Sequence, residues 1–195
     1  MVIFQNNQLY EDLLTAFRAK QPFFCINACI SDSLGSPMGY YVNSSKSIKP
    51  VNLNDGNGNF FLKPNGGLLI TKDNAIICES SEISKYSEIK TGVQSGPMLL
   101  LNGSLNPQFD PGSLNKKTRC GVGRFTDKNN DSYLIFCISN VPVSFYTFGV
   151  FFQKKFNCKD ALCLESGGSI MNLPYSINNT AHSRNIIHNY IFFQL

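Results

Sequence analysis

The chain has 195 residues, of which 43% are apolar and 15% charged, and its formal net charge is +4. This length suits a single domain over residues 1–195, and the composition excludes intrinsic disorder. Lys and Arg are scattered, which argues against a nucleic-acid partner because that function needs a concentrated basic stripe. The mild positive charge favours an anionic small-molecule ligand. No apolar stretch is long enough to cross a bilayer, so we expect no membrane partner.

The seven cysteines include no CxxC pair, and several lie within apolar runs. Cysteines in such runs behave as small buried hydrophobic residues. Because no apolar leader precedes them, the pattern predicts reduced thiols and a cytoplasmic protein. Their spacing relative to His182 and His188 fits no zinc pattern, so we expect no metal and no cofactor.

The first predicted element is an amphipathic helix over residues 8–20, where Leu9, Leu13 and Phe17 recur at helical spacing before Pro22. Short strands between Gly- and Asn-rich turns follow. Their predicted ranges are 23–28, 38–43, 59–63, 67–71, 75–79, 97–102, 120–126, 132–139 and 161–165.

A second helix is predicted over 144–156, with Lys154 and Lys155 in its last turn. The apolar residues 190–193 near the end of the chain predict either an edge strand or a contact in a homo-oligomer. The fold class is therefore α+β, a single domain with a mixed, mostly antiparallel β-sheet and a few packed helices.

Small, amide and charged side chains gather beside the predicted strands, and loops held by a rigid sheet often carry function. Taken singly, most have a structural explanation: residues 62–66 could be a hairpin turn, and Arg119 a solvated strand end. Glu165 stands out, because a carboxylate directly after a buried strand is costly without a partner or a purpose. The candidates are Asn27, Lys63, Asn65, Gln94, Ser95, Gly96, Arg119, Ser139, Glu165, Gly167, Gly168 and Ser169.

Five strings in this chain share the order and spacing of the signature blocks of one family. They are NFFLKPNGGLLI, QSGPMLLLNGSLNP, RCGVG, ISNVPVSFYTFGVFF and CKDALCLESGGSIM. The chain thereby resembles the phosphodiester glycosidase family over about residues 23–174. The resemblance implies a hydrolase of carbohydrate metabolism, a glycosidase that cleaves between a sugar's anomeric carbon and a phosphate in a phosphodiester-linked or nucleotide-linked sugar.

That reaction suggests roles for the candidates, because a phosphate is already a good leaving group and needs a cationic clamp more than a strong acid. Arg119 and Lys63 would bind the phosphate, and Glu165 would assist water or stabilise the oxocarbenium ion. The remaining candidates would bind sugar hydroxyls or phosphate oxygens. They are Asn27, Asn65, Gln94, Ser95, Gly96, Ser139, Gly167, Gly168 and Ser169.

The chain departs from the family pattern at two points. The family typically reads N-A-G-M-F where residues 27–31 read N-A-C-I-S, and Asp-Gly where this chain has Glu165 and Ser166. An alternative function is therefore a non-catalytic binding module, a sponge or sensor for a phosphorylated sugar or nucleotide. Two further alternatives are a hydrolase with a Ser or Cys nucleophile assisted by His182 or His188, and a structural, partner-binding role.

Overall fold

The computed structural model describes residues 2–5, 24–165, 171–172 and 189–193. Its strands are β1 (Val2–Gln5), β2 (Phe24–Asn27), β3 (Tyr41–Asn43), β4 (Lys46–Lys49), β5 (Gly66–Ile70), β6 (Ala75–Glu79), β7 (Thr91–Ser95), β8 (Met98–Leu101), β9 (Ser104–Leu105), β10 (Cys120–Thr126), β11 (Ser132–Ile138), β12 (Asp160–Cys163), β13 (Met171–Asn172) and β14 (Asn189–Phe193). The α-helix of the described part is α1 (Phe145–Phe156), and short 3₁₀ helices span Asn59–Phe61 and Ser80–Lys85.

These strands form two five-stranded sheets and one four-stranded sheet. Sheet I has the order β4-β3-β7-β5-β6, and sheet II has the order β11-β10-β12-β8-β9. The third sheet has the order β1-β14-β2-β13. Every strand pair of the described residues is antiparallel. The α+β class with antiparallel pairing is thus confirmed.

The main core joins sheets I and II. Leu68 and Val93 of sheet I share one buried cluster with Val122 and Leu162 of sheet II. Because successive residues of a strand point to opposite faces, Leu69 points away from this core and packs with Ile83 of the second 3₁₀ helix.

Helix α1 covers the other face of sheet II. The helix begins after Ser144, whose Oγ accepts a hydrogen bond of 3.1 Å from the backbone N–H of Thr147. It ends at Asn157, which adopts the left-handed conformation with φ of 51°. Its buried residues include Phe148 and Phe152, which pack with residues of β8 and β12. The predicted helix over 144–156 is confirmed.

The prediction of a strand over 59–63 is wrong. Gly58 has a φ of 94°, and the backbone N–H groups of Phe61 and Leu62 bond the carbonyls of Gly58 and Asn59. Those local turn bonds make a 3₁₀ turn in place of ladder bonds. The other strand predictions between 23 and 165 correspond to β2, β3, β5, β6, β8, β10, β11 and β12.

The structure contains a strand, β7, that the sequence does not predict, because Gly92, Gln94 and Ser95 are not typical strand residues. Its five residues are all buried, and the strand lies between β3 and β5 at the centre of sheet I. Gly92 allows neighbouring side chains to pack closely against the strand, because a Cβ at this position would lie 3.0 Å from the ring of Tyr40 and 3.2 Å from Leu69. A buried central strand can therefore carry Gly92 where its neighbours are close, and Gln94 where its amide is hydrogen-bonded internally.

The terminal predictions have mixed outcomes. The helix expected over 8–20 lies outside the described residues. Residues 190–193 do belong to a strand, β14, but it pairs on both sides, with β1 and β2, and is not an edge. Within the described ranges, no helix combines the length and apolar character needed to cross a membrane.

Candidate active site

One end of sheet II brings three predicted residues to neighbouring strands. Arg119 directly precedes β10, Ser139 directly follows β11, and Glu165 lies two residues after β12. The backbone N–H of Ser139 donates to the carbonyl of Arg119 at 2.9 Å, and that of Leu164 donates to the carbonyl of Cys120 at 2.9 Å. The antiparallel register therefore continues past the strand ends and holds this part of the backbone in place.

The segments around Pro64 and Pro97 join the same end. The backbone N–H of Cys163 donates to the carbonyl of Pro97 at 3.0 Å, and that of Met98 donates to the carbonyl of Pro64 at 2.8 Å. Both prolines follow cis peptide bonds. Pro64 and Pro97, which are 33 residues apart in sequence, thus lie in neighbouring segments, and the Pro97 segment borders β12.

Gly96 sits where these two segments touch. A Cβ at this position would lie 2.8 Å from the carbonyl oxygen of Phe60 and 2.9 Å from the Cβ of Asn65. Glycine is required here for close approach, because a larger residue would push the segments apart.

Glu165 connects the end of β12 to the residues after β2. Its backbone N–H donates to the carbonyl of Ala28 at 3.0 Å. Its carboxylate oxygen Oε2 accepts from the backbone N–H of Ser31 at 3.3 Å. The neighbouring Asn27, the last residue of β2, is fully buried. The predicted carboxylate and the predicted asparagine therefore belong to one cluster.

Arg119 is completely buried at this same end of sheet II. Its Nε donates to the carbonyl of Val143 at 3.3 Å, and its Nη2 to the carbonyl of Asn115 at 3.0 Å. The guanidinium carbon lies 3.7 Å from the centre of the Phe145 ring. Burial lowers the pKa of Arg119 below its usual value, because removal from water disfavours the charged form.

The buried guanidinium is incompletely satisfied. Its Nη1 has no hydrogen-bond partner among residues 26–165, and no acidic group of that range forms an ion pair with it. A buried cation without an anion is energetically unfavourable. Ser139 does not bond the guanidinium in this way: its Oγ accepts a hydrogen bond of 2.8 Å from the backbone N–H of Arg119.

Lys63 lies at the surface and points elsewhere. Its ammonium pairs with Asp55 at 2.6 Å and donates to the carbonyl of Leu53 at 2.9 Å. The side chain is 41% exposed. Its hydrogen bond and then its charge lower the pKa of Asp55. Asn65, two residues on, is buried and donates from Nδ2 to the carbonyl of Phe60 at 2.8 Å.

Gln94 and Ser95 differ sharply in how they are satisfied. Gln94 is buried, and its Oε1 accepts from the N–H groups of Tyr40 and Asn52. Its Nε2 donates to the carbonyl of Asn52 and to the Oγ of Ser80. Ser95 is equally buried, yet its Oγ has no hydrogen-bond partner within the described part of the chain.

Six cysteines are free thiols: Cys29, Cys78, Cys120, Cys137, Cys158 and Cys163. Burial raises the pKa of Cys29 and of Cys78 to about 12, with Glu165 adding to the effect at Cys29. It raises the pKa of Cys137 and of Cys158 to about 11. Because the thiolate is the reactive form, these residues are poor nucleophiles at neutral pH. No group of His, Cys, Asp and Glu in the described part is arranged to hold a metal ion.

Five residues with predicted roles lie outside the described residues. They are Gly167, Gly168 and Ser169, predicted as binding residues, and His182 and His188, considered as partners of a nucleophile.

A family model described as phosphodiester glycosidase matches residues 24–194. The chain belongs to the phosphodiester glycosidase family. The family assignment suggested by the five sequence strings is therefore confirmed.

Relatives of this family member include one curated protein and two solved structures. The uncharacterized protein YigE of Escherichia coli K12 is 33% identical over 140 residues, which is 72% of this chain and 54% of that protein. The chain thus spans about half the length of this curated relative.

The zebrafish N-acetylglucosamine-1-phosphodiester alpha-N-acetylglucosaminidase catalytic domain, auto-inhibited by its pro-peptide, has a similar fold. The TM-score is 0.68 at 13% identity, over 100% of this chain and 72% of that one. A hypothetical protein from Synechocystis matches with a TM-score of 0.58 at 12% identity, over 97% of this chain and 54% of that one. At these identities the likeness concerns the fold alone.

The sequence does not indicate two features of this candidate site. One is the bond from the N–H of Ser31 to Glu165, which joins residues 134 positions apart. The other is Phe145 beneath the Arg119 guanidinium. No local pattern indicates the first contact. The second could have been inferred only by placing the start of α1 beside the start of β10.

Proposed function

We propose that this protein hydrolyses the bond between a sugar's anomeric carbon and a phosphate oxygen in a phosphodiester-linked or nucleotide-linked sugar. The observation that carries the proposal is the buried, incompletely satisfied guanidinium of Arg119 at the same strand end as the Glu165 carboxylate. An anionic phosphate would supply the acceptor and the negative charge that the protein does not. Membership of the phosphodiester glycosidase family supports the same substrate class.

In the proposed reaction, the bond between the anomeric carbon and the phosphate oxygen breaks, and its electron pair leaves with the phosphate. Arg119 stabilises that developing charge. A water oxygen bonds to the anomeric carbon, and Glu165 takes a proton from the water or stabilises the oxocarbenium ion. The hydrogen bond from the N–H of Ser31 holds the carboxylate in position for this role.

The other candidates have different roles in this proposal. Asn27 and Ser95 are the strongest substrate-binding candidates, because both are buried polar side chains near the segments that meet at this end of sheet II. Lys63 could exchange Asp55 for a phosphate oxygen at little cost, since exposed ion pairs are weak. Gly96 keeps two segments close together.

The amides of Asn65 and Gln94 bond the protein itself, so we assign them a positioning role in the site. Ser139 positions the backbone of Arg119. Binding of the substrate by Gly167, Gly168 and Ser169 remains a prediction. Free cysteines with raised pKa values support a reducing, cytoplasmic location, where a soluble phosphorylated sugar or nucleotide would be the ligand.

The non-catalytic binding module is the second candidate, favoured by the buried Cys29 at a position where the family typically has glycine. One experiment separates the two functions. The protein is incubated with a sugar 1-phosphodiester in ¹⁸O-labelled water, and the products are weighed by mass spectrometry. We expect the label in the sugar's anomeric hydroxyl and none in the phosphomonoester. Label in the phosphate contradicts the proposal, and ligand that is bound but returned intact favours the binding module.

A further inference from the structure

A cavity of about 450 Å³ lies between the end of β11 and the first turns of α1. This volume is within the range of small-molecule sites. Its walls are mainly apolar, with Phe136, Phe148, Phe151, Val141 and Val143 among the lining residues. Ser139, Asn140 and Thr147 add polar groups to the lining. The roles assigned above to Arg119 and Glu165 do not account for this cavity.

The cavity is adjacent to Arg119 through two shared residues. Val143 lines it and accepts a hydrogen bond from the Arg119 Nε at 3.3 Å. Ser139 lines it and accepts from the Arg119 backbone N–H at 2.8 Å. The apolar cavity and the buried cation, which lacks a full set of acceptors, are thus separated by these two residues, and Arg119 itself does not line the cavity. Such a pairing suits a ligand with an anionic group joined to an apolar one.

The walls favour a flat aromatic group as the apolar part. Three phenylalanine rings contribute to the lining, and aromatic rings gain from packing against each other in stacked or edge-to-face geometry. Phe151 is 41% exposed and Val141 is 55% exposed, so both leave apolar surface open to solvent at the cavity. Covering that surface with a ligand would add a hydrophobic contribution.

We propose that this cavity binds an aromatic group carried by the substrate's phosphate, with the phosphate on Arg119 and the sugar toward Glu165. The inference rests on the proposed function and names its substrate class: a sugar phosphodiester whose leaving phosphate bears an aromatic ring. The ring is either attached directly to the phosphate or is a nucleobase joined through ribose.

Binding of the product phosphates tests this directly, because it does not require turnover. Two matched pairs are compared by isothermal titration calorimetry: phenyl phosphate with methyl phosphate, and a nucleoside 5′-monophosphate with ribose 5-phosphate. We expect the ring-bearing member of at least one pair to bind at least about tenfold more tightly. The pair that shows the difference identifies the source of the ring. Equal affinities within both pairs, or no binding of any of the four, overturn the inference.

A substitution at the cavity tests whether the ring-bearing phosphate binds there. Val141→Trp fills it from an exposed position and should abolish the advantage of the ring-bearing phosphate. The matched control is Ile48→Trp, since Ile48 is similarly exposed, at 51% against 55%, but lies on β4 of sheet I. The control should keep the advantage, and far-ultraviolet circular dichroism confirms that both variants are folded. Retention of the full advantage in folded Val141→Trp contradicts the proposed location.

The two proposals fail in different ways. Equal binding within both pairs, together with ¹⁸O incorporation into the sugar, overturns only the aromatic group. Preferential binding of the ring-bearing phosphate without any cleavage supports the cavity and contradicts the catalytic function.

Discussion

Two side chains on the same end of sheet II differ in how the protein satisfies their charge. The carboxylate of Glu165 accepts from the N–H of Ser31, whereas the Arg119 guanidinium has only neutral carbonyls and a ring around it in the described structure. Neutral partners offset only part of the cost of burying a cation. This imbalance is the physical reason for assigning anion binding to Arg119.

The role of Glu165 can be tested by removing its charge while keeping its shape. Glu165→Gln retains an oxygen that can accept from the N–H of Ser31, so the fold should be unchanged. We expect kcat on a sugar phosphodiester to fall by about 100-fold or more, the usual scale for a lost acid–base group. The control is Glu82→Gln, which removes only an exposed pair with Lys85. Full turnover by a folded Glu165→Gln protein is incompatible with the proposed role.

At the scale of elements, glycines set the distance between β10 and α1. A Cβ at Gly121 would lie 2.9 Å from the carbonyl oxygen of Leu162 and 3.0 Å from the ring of Phe148. A Cβ at Gly123 would lie 2.5 Å from the ring of Phe152 and 2.7 Å from the Sγ of Cys158. The helix that carries Phe145 against Arg119 can therefore lie close to the sheet only because β10 has no side chains at these positions.

Substitution of Gly123 tests this close packing. In Gly123→Ala the Phe152 ring and the Cys158 thiol must move, so we expect the free energy of unfolding to fall by about 1–3 kcal/mol. Urea denaturation measures the change. Gly112→Ala is the control, because its Cβ would lie 3.4 Å from the nearest atom, the Oδ1 of Asp110. The control should change stability by less than about 0.5 kcal/mol. If the two variants have equal free energies of unfolding, Gly123 is not needed for close packing of the helix on the sheet.

The sequence predicted elements well where local signals were strong. Strands β6 and β10 were predicted with their observed bounds, and α1 within one residue, because apolar runs were bounded by turn residues and by Ser144. Strand β7 was missed because its Gly, Gln and Ser are typical of loops, and its burial depends on partners distant in sequence. The apolar residues of Asn59–Phe61 favour a strand in the sequence. In the structure, local backbone hydrogen bonds form a 3₁₀ turn there, and no sequence pattern indicated them.

At the scale of the whole molecule, stability should depend on pH through the buried thiols. Burial raises their pKa values from 9.0 in the reference state to about 11 at Cys137 and Cys158, and to about 12 at Cys29 and Cys78. The unfolded chain therefore loses these protons at a lower pH than the folded protein does. Their stabilising contribution is complete below about pH 9 and is lost as the pH rises toward the folded values.

We accordingly expect the urea midpoint to fall between about pH 8 and about pH 10, and to change little between about pH 7 and about pH 8. Circular dichroism under reducing conditions follows the unfolding. A midpoint that is constant or higher at about pH 10 would show that these thiols are not buried as protonated groups.

The candidate site could be predicted only in part, because some of its contacts depend on the packing of the whole molecule. Sequence signals indicated Arg119 and Glu165 as candidates, and the registers of β10 with β11 and β12 bring their backbones to one end of sheet II. The sequence could not indicate that Lys63 faces Asp55, or that Gln94 bonds Asn52 and Ser80. Those contacts depend on how sheet I and its loops pack in three dimensions.

The central claim is that Arg119 binds the phosphate of a sugar phosphodiester while Glu165 acts at the sugar. The most direct test compares kcat/KM on a sugar phosphodiester and on an aryl glycoside of the same sugar, for the unmodified protein and Arg119→Met. Methionine keeps the apolar packing on Phe145 and removes the charge. Arg124→Met, within β10, the strand that Arg119 precedes, is the control.

We expect Arg119→Met to lose about 100-fold or more on the phosphodiester, much less on the aryl glycoside, and Arg124→Met to lose little on either. Equal losses on both substrates in folded Arg119→Met would contradict the phosphate clamp.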